Sequence, residues 1–513
     1  MTAAELPTLL GVILYLAILI VIGALASRRM KDLRDYFVGG KDLGFLAVAF
    51  SARATGESAW LLLGLTGMGA AVGVKALWVV VGEVVGVALA WTLLSRPFKR
   101  LTDRYDSITV PDYLESRFRD GAQTLRKIAA GALALFVTVY VSAQIDATGK
   151  AFETFLGWDY TLGALVGFVV VMVYVTSGGF VAVVWSDIFQ GSMMVAGLAL
   201  LPIVALVSAG GFAAVGERLH AIDPSLLRPL GAEGATLAGI FSVLGLAAIG
   251  LGFLGSPQIF VRFLALRSER EIAPGALVAV AWTVIADTGA VAIGLLGRAI
   301  FSGPGEGVAA ALGDAEAVLP MLVEHLMPAF LVGLYIAVIL SAIMSTVDSL
   351  LVLAASAVVR DIFQKIYRPD LADAALVRHS RAATLLLALV ALAIALTVAY
   401  VAPGRTVFWF AIFGWSGIAA TFCPLMILSI FWPRVTRRGA IAAMLTGMTL
   451  VPAVKLGLVH LPGVGPLLAE LSELPPAFAA SLLAGVAVSL GDRAGQARLA
   501  GEGIGEELRA ARR

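Results

Sequence analysis

The chain has 513 residues, 60% hydrophobic and 14% charged, with a mean hydropathy of +0.94. Soluble domains are about 45–50% apolar and about 25% charged, so this composition excludes a soluble globular enzyme, a disordered chain and a nucleic-acid binder. The 37 basic and 35 acidic residues nearly cancel, so the information lies in where they are placed.

A bilayer crossing takes about 20 apolar residues. The first such run, 7–27, follows Glu5 without a basic stretch before it or a small-residue cleavage motif after it, and reads as a span rather than a leader. Further runs between charge clusters lie at 45–70, 74–95, 125–149, 159–178, 186–209, 235–262, 274–302, 324–359, 380–402, 406–431, 439–458 and 475–491. That makes thirteen spans. Gly178 and Gly179 interrupt the stretch between the fifth and sixth, and the ninth is long enough to project beyond the bilayer.

Of the 37 basic residues, 29 fall in the segments 28–44, 95–127, 262–270, 360–381, 434–438 and 493–513. By the positive-inside rule these face the cytoplasm, which sets an odd number of spans, the N-terminus outside and the C-terminus inside. The loops at 210–234, 95–124 and 360–379 are too short for a soluble domain, and the charged tail 493–513 reads as a short solvated helix or a frayed end. The single cysteine, Cys423, sits in an apolar run and reads as an inert buried thiol. His220, His325, His379 and His460 are too scattered for a metal site.

Charged groups inside spans are costly and mark function. They are Arg53, Glu57, Glu83, Asp146, Asp187, Asp287 and Asp348. Glu83, Asp146 and Asp287 are isolated along the chain and read as hydrogen-bonded packing residues. In the second span, FSARATGESAWLLLGLTGMGAAVG, the polar block SARATGES interrupts the apolar run and Gly56 lets the helix unwind. Unwound backbone at membrane depth lines a cavity or an ion site; the competing reading is a polar patch that glues helices. In the ninth span Ser341, Ser345 and Ser349 recur every four residues on one face, with Thr346 beside them. Neutral hydroxyl oxygens suit a monovalent cation, so the broken helix and the hydroxyl face together suggest a sodium site.

The stretches DYFVGGKDLG (35–44), SARATGESAWLLLGLTG (51–67), ITVPDYLESRF (108–118), TSGGFVAVVWSDIFQGSMM (176–194), GLGFLGSPQIFVRFLA (250–265), SAIMSTVDSLLVLAASAVVRDIF (341–363) and WSGIAATFCPLMILSIFWPRVTRRGAIAAMLTG (415–447) occur in order along the chain. Through them it resembles the sodium:solute symporters, and among these the bacterial sodium/proline branch. The resemblance implies an all-α membrane protein of about thirteen helices with a leucine-transporter-type pair of inverted five-helix repeats. Its divisions are 1–44 (first helix and loop), 45–209 (helices two to six), 210–431 (helices seven to eleven) and 432–513 (last two helices and tail). It also implies a sodium site from the backbone of Ala54, Glu57 and Ala342 with the hydroxyls of Ser345 and Thr346. Asp187, at the inner end of its helix beside the diglycine interruption, is implied in sodium binding or release. The implied solute pocket has Ser58, Ala59, Trp60 and Tyr140 facing the GLGFLGSP break, with Arg53, Gln144 and Phe253 adding the features peculiar to this chain.

The proline branch has an aspartate where this chain has Gly56, a small or apolar residue at Glu57, a glycine at Arg53, and tryptophan and tyrosine at Ile249 and Phe253. Sodium coupling is therefore better supported than the identity of the solute. The expected function is uptake of a small organic solute, proline or another small amino acid, driven by sodium across the plasma membrane. The alternatives are coupling to protons through Glu57 or Asp187, a carboxylate or other solute, and a transporter-like sensor. No nucleophile–base pair or metal cluster suggests an enzyme. The expected partners are the solute, sodium and the lipid bilayer, with no nucleic acid and no obligate protein partner evident.

Overall fold

The computed structural model describes residues 5–27, 39–175, 180–368, 370 and 373–513. The bundle is built from α1 (Glu5–Ser27), α2 (Phe45–Gly56), α3 (60–72), α4 (77–104), α5 (Val110–Phe118), α6 (Thr124–Leu156), α7 (Tyr160–Val175), α8 (Phe180–Ser208), α9 (Leu237–Ala247), α10 (Pro257–Ala265), α11 (Ile272–Phe301), α12 (Val318–Leu326), α13 (Ala329–Ser356, running on to Tyr367), α14 (Asp373–Val401), α15 (Val407–Phe431), α16 (Arg437–Leu456), α17 (Leu474–Gly491), α18 (Arg493–Gly501) and α19 (Ile504–Arg512). There is no β-strand among the described residues, only a single bridge between Leu43 and Leu266. Eleven helical stretches among the described residues are long and apolar enough to cross a membrane, and Phe45–Gly56 and Tyr160–Met172 are shorter apolar helices. The Gly178–Gly179 interruption lies outside the described residues.

Burial sorts the helices into layers. The apolar windows of α15, α13 and α6 are 89%, 83% and 72% buried, against 17% for α1 and 22% for α14, so the first three form the core and the others wrap it. The outer faces present Val207, Leu277 and Leu483, side chains suited to lipid.

Three features come from local chemistry. Gly73 turns at φ +67, where a Cβ would lie 2.0 Å from the Leu226 carbonyl oxygen; glycine alone fits there, and it separates α3 from α4. Pro328 restarts the chain as α13 after α12 ends at Leu326, since the residue before a proline leaves the helical region; the expected ninth run therefore contains the end of one helix and most of the next. Gly82 and Gly86 of α4 meet Gly250 before α10 at backbone distance: a Cβ on Gly250 would lie 1.9 Å from the Gly82 oxygen, and one on Gly86 would lie 2.1 Å from the Gly250 oxygen.

The tail corrects the expectation of a solvated end. It folds as α18 and α19, and α19 buries Ile504, Leu508 and Ala511, spaced on one face. Glu507 pairs with Arg104 at 2.9 Å and with Arg119 at 3.4 Å, and Arg100 donates to the Ala511 carbonyl. The charges counted as solvating serve instead to dock an apolar stripe. Cys423 is buried, as expected, with Sγ donating to the Gly252 carbonyl.

Candidate functional site

α2 ends at Gly56, and Glu57 leaves the helix in an extended conformation while its N–H still bonds the Arg53 carbonyl at 2.8 Å. The chain becomes helical again at Ala59 and Trp60. Gly56 lets the Phe253 ring close against the break: a Cβ there would lie 2.9 Å from the ring. Carbonyls freed by the break meet α13. Ser345 Oγ donates to the Ala54 carbonyl at 2.9 Å and lies 3.2 Å from that of Ala342. Thr346 Oγ1 lies 3.3 Å from the Thr55 carbonyl and 3.4 Å from that of Glu57. The structure thus gathers all five residues of the implied sodium set, every one of them buried. Asp348, two residues past Thr346, turns back on its own helix to accept from the Ser349 N–H.

Beside this set, Ser58 organises the implied solute pocket. Its hydroxyl accepts from Tyr140 Oη at 3.3 Å, Gln144 Nε2 at 3.0 Å and the Trp60 N–H at 3.3 Å. Gln144 Oε1 accepts from the Ala59 N–H at 3.0 Å, and Trp60 Nε1 reaches back to the Gly56 carbonyl. One glutamine therefore satisfies unwound backbone that would otherwise be orphaned. Phe253 joins through Trp415, whose ring lies 5.0 Å from it and 6.5 Å from Tyr140. Trp415 was not expected at the site. Its signal was a lone tryptophan in the matched WSGIAATF stretch, anchored in the structure by Nε1 on the Ile249 carbonyl. Ser58, Ala59, Trp60, Tyr140, Gln144, Phe253 and Trp415 are all at most 3% exposed, so the centre is closed to both ends of the bundle.

Asp187 is not at a helix end. It lies in the second turn of α8, buried, and accepts from Ser51 Oγ at 2.6 Å and Arg262 Nη2 at 3.2 Å. Arg262 also donates to Ser51, Thr55, Ser349 and the Gln258 carbonyl. Arg262 falls in the basic segment 262–270 that the charge bias places in the cytoplasm, but it is 1% exposed. The missed signal is a single charge with apolar neighbours on both sides, in FVRFLA. Thr55 and Ser349, bonded to each other at 2.9 Å, connect this knot to the hydroxyl set above it.

Arg53 and Glu57 stay together because the helix breaks after Gly56 rather than before it. Arg53 Nη2 contacts the Glu57 carboxylate and reaches Glu83 at 3.1 Å. The guanidinium lies over the rings of Phe253 and Trp282 at 4.8 and 5.4 Å. Both charged side chains are buried and neither faces lipid.

Polar clusters close the ends. At one, a cavity of about 420 Å³ descends to Leu63. Lys150 there pairs with Asp314 and Glu316, and Arg405 with Asp146, which also accepts from Tyr160. Burial raises the pKa of Glu316, against the opposing pull of Lys150 and of the Phe408 and Val407 amides. At the other end, Arg126 joins Asp112, Glu115 and Asp361 beside a cavity of about 440 Å³. Burial alone would raise the Asp112 pKa, but Arg360 and Arg126 outweigh it and hold the carboxyl below its ordinary value.

Residues 36–447 match the sodium:solute symporter family. The chain is 35% identical over 474 residues to the high-affinity proline transporter PutP of Bacillus subtilis, covering 92% of this chain and 95% of that one. It is 33% identical over 451 residues to the sodium/proline symporter of Escherichia coli, covering 88% of each. Among solved structures it is similar to a Na+-coupled sialic acid symporter, with a TM-score of 0.76, 18% identity, and coverage of 94% of this chain and 97% of that one. It is similar also to MhsT, with a TM-score of 0.53, 16% identity, and coverage of 86% and 97%. These likenesses show a shared all-helical transporter fold.

Proposed function

Because the chain belongs to the sodium:solute symporter family, we propose that it is a multi-pass plasma-membrane carrier in which sodium entering the cell drives uptake of a small amino acid, with proline the first candidate. The solute rests on relatives named as proline transporters. The observation that carries the coupling is the contact of the Ser345 and Thr346 hydroxyls with the carbonyls freed at the helix break. Neutral oxygens from two helices replace a sodium ion's water shell, and the ion in turn holds the two helices together. A membrane potential of about 100 mV adds about 2.3 kcal/mol per charge moved inward, enough to concentrate a neutral solute about fortyfold.

In this reading Ser58, Ala59, Trp60, Tyr140, Gln144 and Phe253 hold the solute next to the ion. Asp187 receives the ion on its way in, and Arg262 is displaced as it passes. The five-helix repeats are 45–209 and 210–431, flanked by 1–44 and 432–513, with the N-terminus outside and the C-terminus cytoplasmic.

The test is uptake by the purified carrier in proteoliposomes. An inward sodium gradient should drive accumulation of labelled proline above a panel of amino acids, carboxylates and nucleobases. Equal uptake from potassium and sodium would overturn the coupling; saturable uptake of another class alone would overturn the solute.

A further inference from the structure

We propose that Glu57, Glu83 and Asp287, gathered around Arg53, form a second cation site, filled by sodium or by a proton and separate from the hydroxyl set of α13. The three carboxylates come from the break after α2, from α4 and from α11, and one oxygen of each lies within 4.8 Å of the other two. All three side chains are fully buried. Arg53 is the one cation in contact with any of them among the described residues, through Glu57 and Glu83. Three ionised carboxylates against one guanidinium would carry a net charge of −2 in a fully buried space, of which one bound cation or proton removes half, and an uncompensated buried charge is strongly unfavourable.

The second observation is Asp287 itself. Neither of its carboxylate oxygens has a hydrogen-bond partner among the described residues, and Glu83 Oε1 is equally unmatched. Arg53 does not serve them: its Nε and Nη1 make no hydrogen bond, and its plane is covered by Phe253 and Trp282. Asp146, a buried acid of the same bundle, differs in that its Oδ1 accepts from both Tyr160 and Arg405, leaving only Oδ2 unmatched. Asp287, with both oxygens unmatched and one of them within 4.8 Å of two other carboxylates, is arranged instead for a positive charge. Three oxygens no more than 4.8 Å apart can share a point about 2.8 Å from each, a small adjustment away from the oxygen distances of a bound cation; a proton shared between two of the carboxylates answers the same need.

Glu57 belongs to both sites. Its carbonyl faces Thr346 and its carboxylate faces Arg53, so filling one site fixes the residue on which the other depends. The cluster lies behind the Phe253 ring, against which Gly56 packs. Charge there is thereby linked to the shape of the solute pocket.

The experiment uses the purified full-length carrier with sodium alone as the probe. Bound sodium is counted at saturation by equilibrium dialysis, and the infrared carbonyl band of protonated carboxylic acid is recorded on the same samples. If sodium fills the cluster, the wild type binds two ions per chain, Asp287→Asn loses one, and Ser345→Ala with Thr346→Ala loses the other. If a proton fills it, the wild type binds one ion and shows an acid band that is lost or shifted in Asp287→Asn or in Glu83→Gln. A single sodium with no acid band altered by either variant overturns the proposal, and the wild-type count reads correctly even if one variant fails to fold. Loss of sodium binding in the Ser345/Thr346 variant tests the coupling site independently, so either site can fail without the other.

Discussion

The Ser345 hydroxyl donates to the Ala54 carbonyl across 2.9 Å, joining residues 291 positions apart in the chain. In the proposed sodium site each helix supplies part of one oxygen set. Replacing Ser345 and Thr346 by alanine removes two oxygens, each with a net worth of about 1.5–3 kcal/mol toward a charge. Half-maximal sodium for uptake should rise at least about tenfold at normal expression. Unchanged sodium dependence would dismiss the site.

Asp187 and Arg262 hold each other in the knot below. Asp187→Asn keeps the shape and removes the charge, so maximal turnover should fall about tenfold or more while solute KM moves little, the pattern of a step after binding. Arg262→Ala strands a buried carboxylate and should cost about 3–5 kcal/mol of stability, which Asp187→Asn in the same chain should partly restore. Kinetics of Asp187→Asn matching the wild type would reduce the pair to packing.

Arg53→Ala leaves Glu57 and Glu83 facing each other without their guanidinium. The variant should melt well below the wild type and transport nothing. Adding Glu57→Ala should recover only part of the melting temperature, because Glu83 still lacks its partner. Full recovery would mean that the Glu83 contact at 3.1 Å contributes nothing.

Asp112, at the end of the bundle opposite Lys150, gives a pH test. Its folded-state pKa is depressed by Arg360 and Arg126, so it adds stability above the unfolded value of about 3.9 and loses that stability as pH falls through the lower folded value. Asp112→Asn should lower the melting temperature at pH 7, and the gap to the wild type should close as pH drops below about 4. A gap independent of pH would show that the carboxylate charge plays no part.

What the sequence made visible was whatever repeats at helical spacing or interrupts an apolar run. The break after Gly56 announced itself through SARATGES, and the hydroxyl face through serines four residues apart. Hidden were the pairings between distant segments. Glu83 is 30 residues from Arg53 and Arg262 is 75 from Asp187, so each read as an isolated charge or as part of a cytoplasmic cluster. The docking of α19 was hidden for the same reason, because Arg100, which holds the Ala511 carbonyl, lies 411 residues upstream.

The glycine seam between α4 and the segment before α10 bears on how such a carrier opens to one side and then the other. With main chain against main chain at Gly82, Gly86 and Gly250, no layer of side chains is left to slide or re-pack, and shear between packed elements works through such layers. The two segments therefore travel as one rigid body. The contacts that part must lie elsewhere, where they are made by the tips of long side chains that can let go: Lys150 and Arg405 at one mouth, Arg126 and Arg360 at the other.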